Sequence, residues 1–156
     1  MTARLLVDVL GPVFLVLSGV LAGVLVGVEL AVVPALAALP GDRYLQVHRL
    51  IDPRFDPVMP RLSQVALGAG IVVTVAVPGL AAKLAGGFAV LSIIAVAAVS
   101  EAHNVRMNRH MDTWNAEHLP TGWESLRTRW GRWHRVRTAA SIAGFIAAAS
   151  VPFLRG

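Results

Sequence analysis

The sequence predicts an all-α integral membrane bundle of four spans, with two longer loops on one side that carry short helical extensions. Three observations predict it. Of the 156 residues, 56% are hydrophobic and only 15% are charged, whereas a water-soluble domain carries about 25% charged residues. The mean hydropathy is +0.66. The apolar residues gather into four long blocks, about 9–39, 62–80, 84–105 and 134–154, the last two including polar turns at their ends. Crossing the hydrocarbon takes roughly 20 residues of helix. Backbone groups there must be satisfied within their own segment, so each block should be helical. The length suits one domain, residues 1–156. There is no cysteine, which excludes disulfides, thiolate metal sites and cysteine nucleophiles.

The first block holds one ionisable residue, Glu29. Ala35-Leu36-Ala37 looks like a signal-peptide cleavage site, but the apolar run far exceeds the usual ~7–15 residues, so the block reads as a span. Gly19, Gly23 and Gly27 recur every fourth residue along one face, which either permits close helix contact or reflects only the frequency of glycine in membrane helices. In the segment 41–53, Asp42 reads as an N-cap and Pro53 as a stop, about three turns apart. Tyr44, Leu45, His48, Ile51 and Asp52 fall near one face of those turns. Asp56 and Pro57 read as the cap and first residue of the second span. Beyond the third block, Glu101, Asn104 and Asn108 form one helical stripe, with His103, Met107 and His110 beside it. Thr121-Gly122-Trp123-Glu124 fits a capping box that opens the last helix. From there Arg127, Trp130, His134, Arg137, Ser141 and Gly144 recur at spacings of three and four, one face running from water into the membrane.

Four spans fix which loops share a side. The side of the N-terminus carries Arg4, Lys83 and Arg155, and the other eleven Lys and Arg residues lie in the segments 40–61 and 101–137. By the positive-inside rule those segments, here called side B, should be cytoplasmic and both termini outside, in a bacterial-type plasma membrane. Topology thus accounts for the net charge of +5 and the pI near 11.3. No nucleic-acid motif accompanies the arginines, so DNA and RNA are not expected partners.

Side B also holds all five histidines and all four tryptophans. Glu29 lies about 20 residues into its span, near that same boundary. Glu101 and His103 end the third block and His134 opens the fourth. Ionisable groups at such a depth face a bundle interior or a wet cavity, and polar groups on an inward stripe need partners. Glu29 and Glu101 are the expected partners of Arg137 and His134, with neither acid assigned to one of the two. His48 and Asp52, at i and i+4, have the spacing of two ligands to one metal or of a carboxylate orienting an imidazole. A buried ion-pair network that only fixes the bundle is the plainer alternative.

Trp123, Arg127, Trp130, His134 and Arg137, in the run Trp-Glu-Ser-Leu-Arg-Thr-Arg-Trp-Gly-Arg-Trp-His-Arg-Val-Arg-Thr, resemble the closing signature of the anthrone-oxygenase-like family of four-helix membrane proteins. The stretch from Asn104 to Asn108 is similar to the family's asparagine-containing motif. The Val33-Pro34-Ala35-Leu36 exit from the first span resembles it as well. The resemblance covers nearly the whole chain and is most specific over residues 104–137. The stretch His48-Arg49-Leu50-Ile51-Asp52 is not part of the signature, which points to a subgroup. By analogy with its characterised members, the resemblance implies a monooxygenase of secondary metabolism that oxidises polycyclic anthrones to anthraquinones with molecular oxygen.

Two mechanisms suit these residues. In one there is no cofactor: His134 or Glu29 removes an acidic C–H proton, Arg137, Asn104 and Asn108 stabilise the enolate oxygen, and the carbanion reacts with oxygen. In the other, iron or copper is held by Glu29, His48, Asp52, Glu101 and His134, with His103 in reserve. No Glu-x-x-His pair is present, which counts against an ordinary di-iron site. In either case Trp130, Arg127, Tyr44 and Met107 are the expected substrate contacts. The expected partners are the bilayer, a lipophilic polyketide-like or aromatic substrate and molecular oxygen, with a homo-oligomer left open. A small-molecule carrier or a structural membrane subunit is the non-catalytic alternative.

Overall fold

The computed structural model describes residues 3–55 and 57–155. Seven α-helices, two π turns and a short 3-10 turn are the regular elements of the described residues, with no strand among them. They form four long helical rods, Ala3–Ala37, Gly41–Ala76, Leu80–Asp112 and Trp123–Leu154, each long and apolar enough to cross a membrane. The first rod joins α1 (Ala3–Gly27), a π turn at Val28–Val32 and α2 (Val33–Ala37). The second joins α3 (Gly41–Phe55) to α4 (Val58–Ala76). The third joins α5 (Leu80–Val99), a π turn at Ser100–Val105 and α6 (Arg106–Asp112). The fourth is α7 (Trp123–Ser150), ending in a 3-10 turn at Val151–Leu154.

In the bundle α1 lies against α4 and α7, and α5 against α4 and α7. The chain ends meet on one side, where Arg155 sits 3.5 Å from Asp8. At 1.5 Å per residue the rods exceed a hydrocarbon core of about 30 Å. The first and third therefore project beyond it at side B, where they meet α3 and the start of α7. Large apolar side chains cover the outside of the rods, among them Val16, Val75, Leu91 and Ile146. A bilayer, not water, is the medium that suits such a surface.

The interior has two apolar parts. One, towards the termini, is built on Val7, Phe14, Val73, Val77, Ala89 and Val151. The other, at side B, is built on Leu36, Tyr44, Leu45, Met111, Trp114 and Trp130. Both π turns lie between them in depth and both touch α7. α5 and α7 pack tightly at Gly144, where an added Cβ would stand 2.6 Å from the Cβ of Ser92.

Several local expectations change. The Gly19, Gly23, Gly27 face is not a contact stripe: only Gly19 meets a neighbour, the Phe145 ring, while Gly23 and Gly27 face open space. Pro53 does not stop α3, which runs on to Phe55. A proline near a helix end blocks only the bond to the turn before it. Asp42 lies in the first turn of α3, not before it, and the helix entry is closed by Tyr44 N–H donating to the Pro40 carbonyl. Pro57 precedes α4; Asp56 lies outside the described residues. The capping box at Thr121 does not form. Gly122, at φ 81°, is the N-cap of α7 and no side chain caps it. That left-handed turn suits glycine, and Ser125 donates its hydroxyl back to the Gly122 carbonyl.

Candidate functional site

The inward stripe of α7 forms as the spacing predicts: Trp130, His134, Ser141 and Gly144 are buried, and Arg137 is half-buried among them. His134 is fully enclosed. Its Nδ1 accepts from Arg137 Nε at 3.1 Å and lies 2.9 Å from an Arg137 Nη2. A guanidinium only donates, so Nδ1 carries no proton and the neutral imidazole keeps its proton on Nε2. That Nε2–H faces the Leu25 carbonyl at 3.1 Å. Leu25 stands three residues before the π turn that opens at Val28. A wide turn interrupts the ladder of i to i+4 bonds and frees backbone groups for outside partners.

Glu29 sits inside that same π turn. Its Oε2 lies 3.8 Å from His134 Nε2, is buried, and has no hydrogen-bond partner among the described residues. The Glu29 side chain as a whole is 25% exposed. One face of the carboxylate therefore looks into the bundle while the side chain reaches the outside. The imidazole stands between a guanidinium and a carboxylate, with its proton on the carboxylate side.

The second π turn serves Arg137 from the other flank. Ser100, its first residue, accepts from Arg137 Nη1 at 3.1 Å. Glu101, one of the two expected acid partners of the layer, is exposed. The extra residue of the wide turn brings Ser100, not Glu101, towards α7. His103 stacks face to face on Trp133, ring centroids 3.5 Å apart.

Towards side B, Trp130 organises a second group. Its ring stacks on His134 at 5.3 Å, nearly parallel, and meets the His48 ring edge-on at 6.2 Å. Trp130 Nε1 donates to Asn108 Oδ1 at 2.8 Å. The Asn108 amide donates to Asp52 Oδ1 at 2.5 Å. Asn104 donates to the Trp130 carbonyl at 3.2 Å. Both asparagines thus hold one tryptophan. The Asp52 carboxylate also acts electrostatically on Arg137, which ties the two groups together. Buried atoms without a hydrogen-bond partner among the described residues include Asn104 Oδ1 and His48 Nδ1. Such atoms are rare in settled interiors and mark places where a ligand or water completes the set.

Tyr44, Arg127 and Trp123 close the top. Arg127 lies over the Trp123 ring at 4.7 Å and the Tyr44 ring at 5.6 Å, and donates to the Leu39 carbonyl at 3.3 Å. The Tyr44 hydroxyl donates to Met111 sulfur at 3.4 Å, and Met107 is packed against the same cluster.

The five expected metal ligands do not converge. His134 meets Glu29, while Asp52 goes to Asn108 and Glu101 faces out. Among the described residues no three His, Asp or Glu side chains are grouped to hold a metal ion. The His48–Asp52 pair shares a helix face, but Asn108 stands at the carboxylate.

Three features were missed by reading the sequence. The Leu25 carbonyl and the Ser100 hydroxyl partner His134 and Arg137, and neither residue type signals it. Arg49 donates to the carbonyls of Asp112 and Trp114 at 2.7 and 2.6 Å, pinning the end of α6 to α3. One turn deeper than Arg137, a void of about 10 Å³ is bounded by Ser18, Ser63, Ser92 and Ser141 among others. The Ser18 hydroxyl there has no partner among the described residues, and about one water would fit.

No curated protein and no solved structure shows significant similarity to the chain. A family model described as anthrone oxygenase matches residues 55–147. That stretch takes in Ser100, both asparagines, Trp130, His134 and Arg137, but not Glu29, His48 or Asp52. The match spans more than half of a four-rod membrane bundle and takes in the third- and fourth-rod part of its polar layer, and the chain belongs to the anthrone oxygenase family.

Proposed function

We propose that the protein is a membrane oxygenase that oxidises a lipophilic anthrone-like molecule without a cofactor. The observation that carries this reading is the Arg137–His134–Glu29 series, in which a carboxylate with an unpartnered buried oxygen lies beside an imidazole locked as the Nε2–H tautomer. His134 is poorly placed to be the base, because Nδ1 is occupied by Arg137 and Nε2 already bears a proton. Glu29 is the better base. An acid half in the bundle and half at its outer surface also suits a substrate that arrives through the bilayer.

Glu29 takes a proton from the acidic methylene between the two aromatic rings. The charge moves onto the ring ketone oxygen, and His134 Nε2–H, polarised by the guanidinium on Nδ1, turns from the Leu25 carbonyl to donate to it. A neutral imidazole can serve as such a donor. The carbanion passes electrons to molecular oxygen and a C–O bond forms. The peroxide anion so formed takes the proton back from Glu29 to become a hydroperoxide, which loses its remaining C–H proton together with hydroxide, as water, to leave a new ketone. One oxygen atom enters the product and the other leaves as water. Asn104 and Asn108 act as positioning residues for Trp130, whose stacking keeps His134 in place. Tyr44, Arg127 and Met107 form the side-B wall of the substrate site.

The test is oxygen uptake by detergent-purified protein given anthrone, before and after exhaustive treatment with chelator. One oxygen consumed per anthraquinone formed, at an unchanged rate after chelation, is the expected result. Activity lost on chelation and restored by iron or copper would instead favour a metal held near His48 and Asp52. Binding of anthrone without oxygen uptake would favour a carrier.

We also place side B at the cytoplasmic face, on the strength of its arginine excess. A cysteine replacing Glu117 should resist membrane-impermeant maleimide in intact cells, whereas one replacing Pro78 should react. The reverse pattern would invert the orientation.

A further inference from the structure

The face of α7 opposite the inward stripe carries a groove that the oxygenase reading does not use. It is open, has a volume of about 690 Å³, and is lined by Ser125, Thr128, Arg129, Arg132, Trp133 and Val136. The spacings of three and four put these on one helical stripe. Arg129 and Arg132 are exposed and make no hydrogen bond or ion pair with any described residue. The nearest acids in sequence, Glu124 and Glu117, do not line the groove. Trp133 is braced by its stack on His103, so its ring is held at a fixed height.

The same stripe changes character one turn on. Val136 is 48% exposed and Ile146 62%, with only alanines along the stripe between them. Cationic groups, a braced tryptophan and then an apolar track therefore follow one another along a single line of the helix. That order matches an anionic phospholipid: phosphate, glycerol level, acyl chain. Tryptophan favours the glycerol level of a bilayer, and basic pockets at helix ends take anionic headgroups. A second copy of the chain fits worse, because pairing this face with itself would bring four arginines together.

We infer that the groove on α7 is a binding site for one anionic phospholipid of the side-B leaflet, with Arg129 and Arg132 on the phosphate and Trp133 at the glycerol. The test uses full-length protein in phosphatidylcholine vesicles that also contain phosphatidylglycerol brominated on its acyl chains. Tryptophan quenching should saturate at a lower mole fraction of this lipid than of brominated phosphatidylcholine. Trp133→Phe should remove the part of the quenching specific to the anionic lipid. Arg129→Gln and Arg132→Gln should each weaken the preference about fivefold, and the single variants serve if the double variant does not fold. Equal quenching by the two lipids, or an undiminished preference in the arginine variants, would overturn the assignment. So would loss of the preference in millimolar inorganic phosphate, which would mark the groove as a site for soluble anions.

Discussion

Glu29→Gln is expected to lower oxygen-dependent turnover of anthrone by about 10²–10⁴-fold, the range typical for loss of a general base. The substitution is nearly isosteric. It changes neither the π turn nor the His134 to Leu25 contact, so folded yield should match wild type. The unpartnered Oε2 is what makes the prediction sharp. A carboxylate that served only the fold would have its oxygens paired, and replacing it would be read in stability. Turnover within about threefold of wild type would place the base elsewhere, with His48 and its unpartnered Nδ1 next in line.

His134→Ala is expected to abolish turnover and also to cost stability. The imidazole is fully buried and is the acceptor for two Arg137 nitrogens. Removing it takes away the acceptor for two of the guanidinium's nitrogens. An orphaned buried polar group costs about 1–3 kcal/mol, more when charged. Thermal unfolding in detergent must therefore be measured beside turnover. Arg135→Ala, on the exposed side of the same helix, should keep most of both. Activity in His134→Ala that falls only as far as the folded fraction falls would favour a purely structural role for the layer.

Much of the frame was legible because the membrane imposes it. Apolar blocks of spanning length leave few options besides helices, and the alternation of three and four from Arg127 to Gly144 marked the buried face of α7. Depth alone put Glu29 and His134 at one level, without pairing them. The wrong partners share one physical reason. Each π turn inserts a residue and rotates the helix beyond it, so the simple 3.6-residue count carries Glu101 inward when Ser100 takes that place. It likewise gives no hint that the Leu25 carbonyl is open to His134. Nothing in residue type announces a π turn. Both asparagines meet Trp130, whose indole N–H and carbonyl require buried partners of their own, a contact that residue type does not announce. The metal set failed to gather for a similar reason. Shared depth is not shared azimuth, and His103 and Glu101 point away from the layer that holds His134.

The most direct measurement of the central claim is rapid mixing of the protein with anthrone in the absence of oxygen. The delocalised anion of an anthrone absorbs at longer wavelength than the neutral ketone. If Glu29 removes the proton before oxygen reacts, wild-type protein should develop that absorbance on mixing and lose it when oxygen is admitted, while Glu29→Gln should show neither change. A wild-type protein that turns over anthrone in air yet forms no anion without oxygen, or a Glu29→Gln variant that forms it as fast, would contradict proton removal by Glu29.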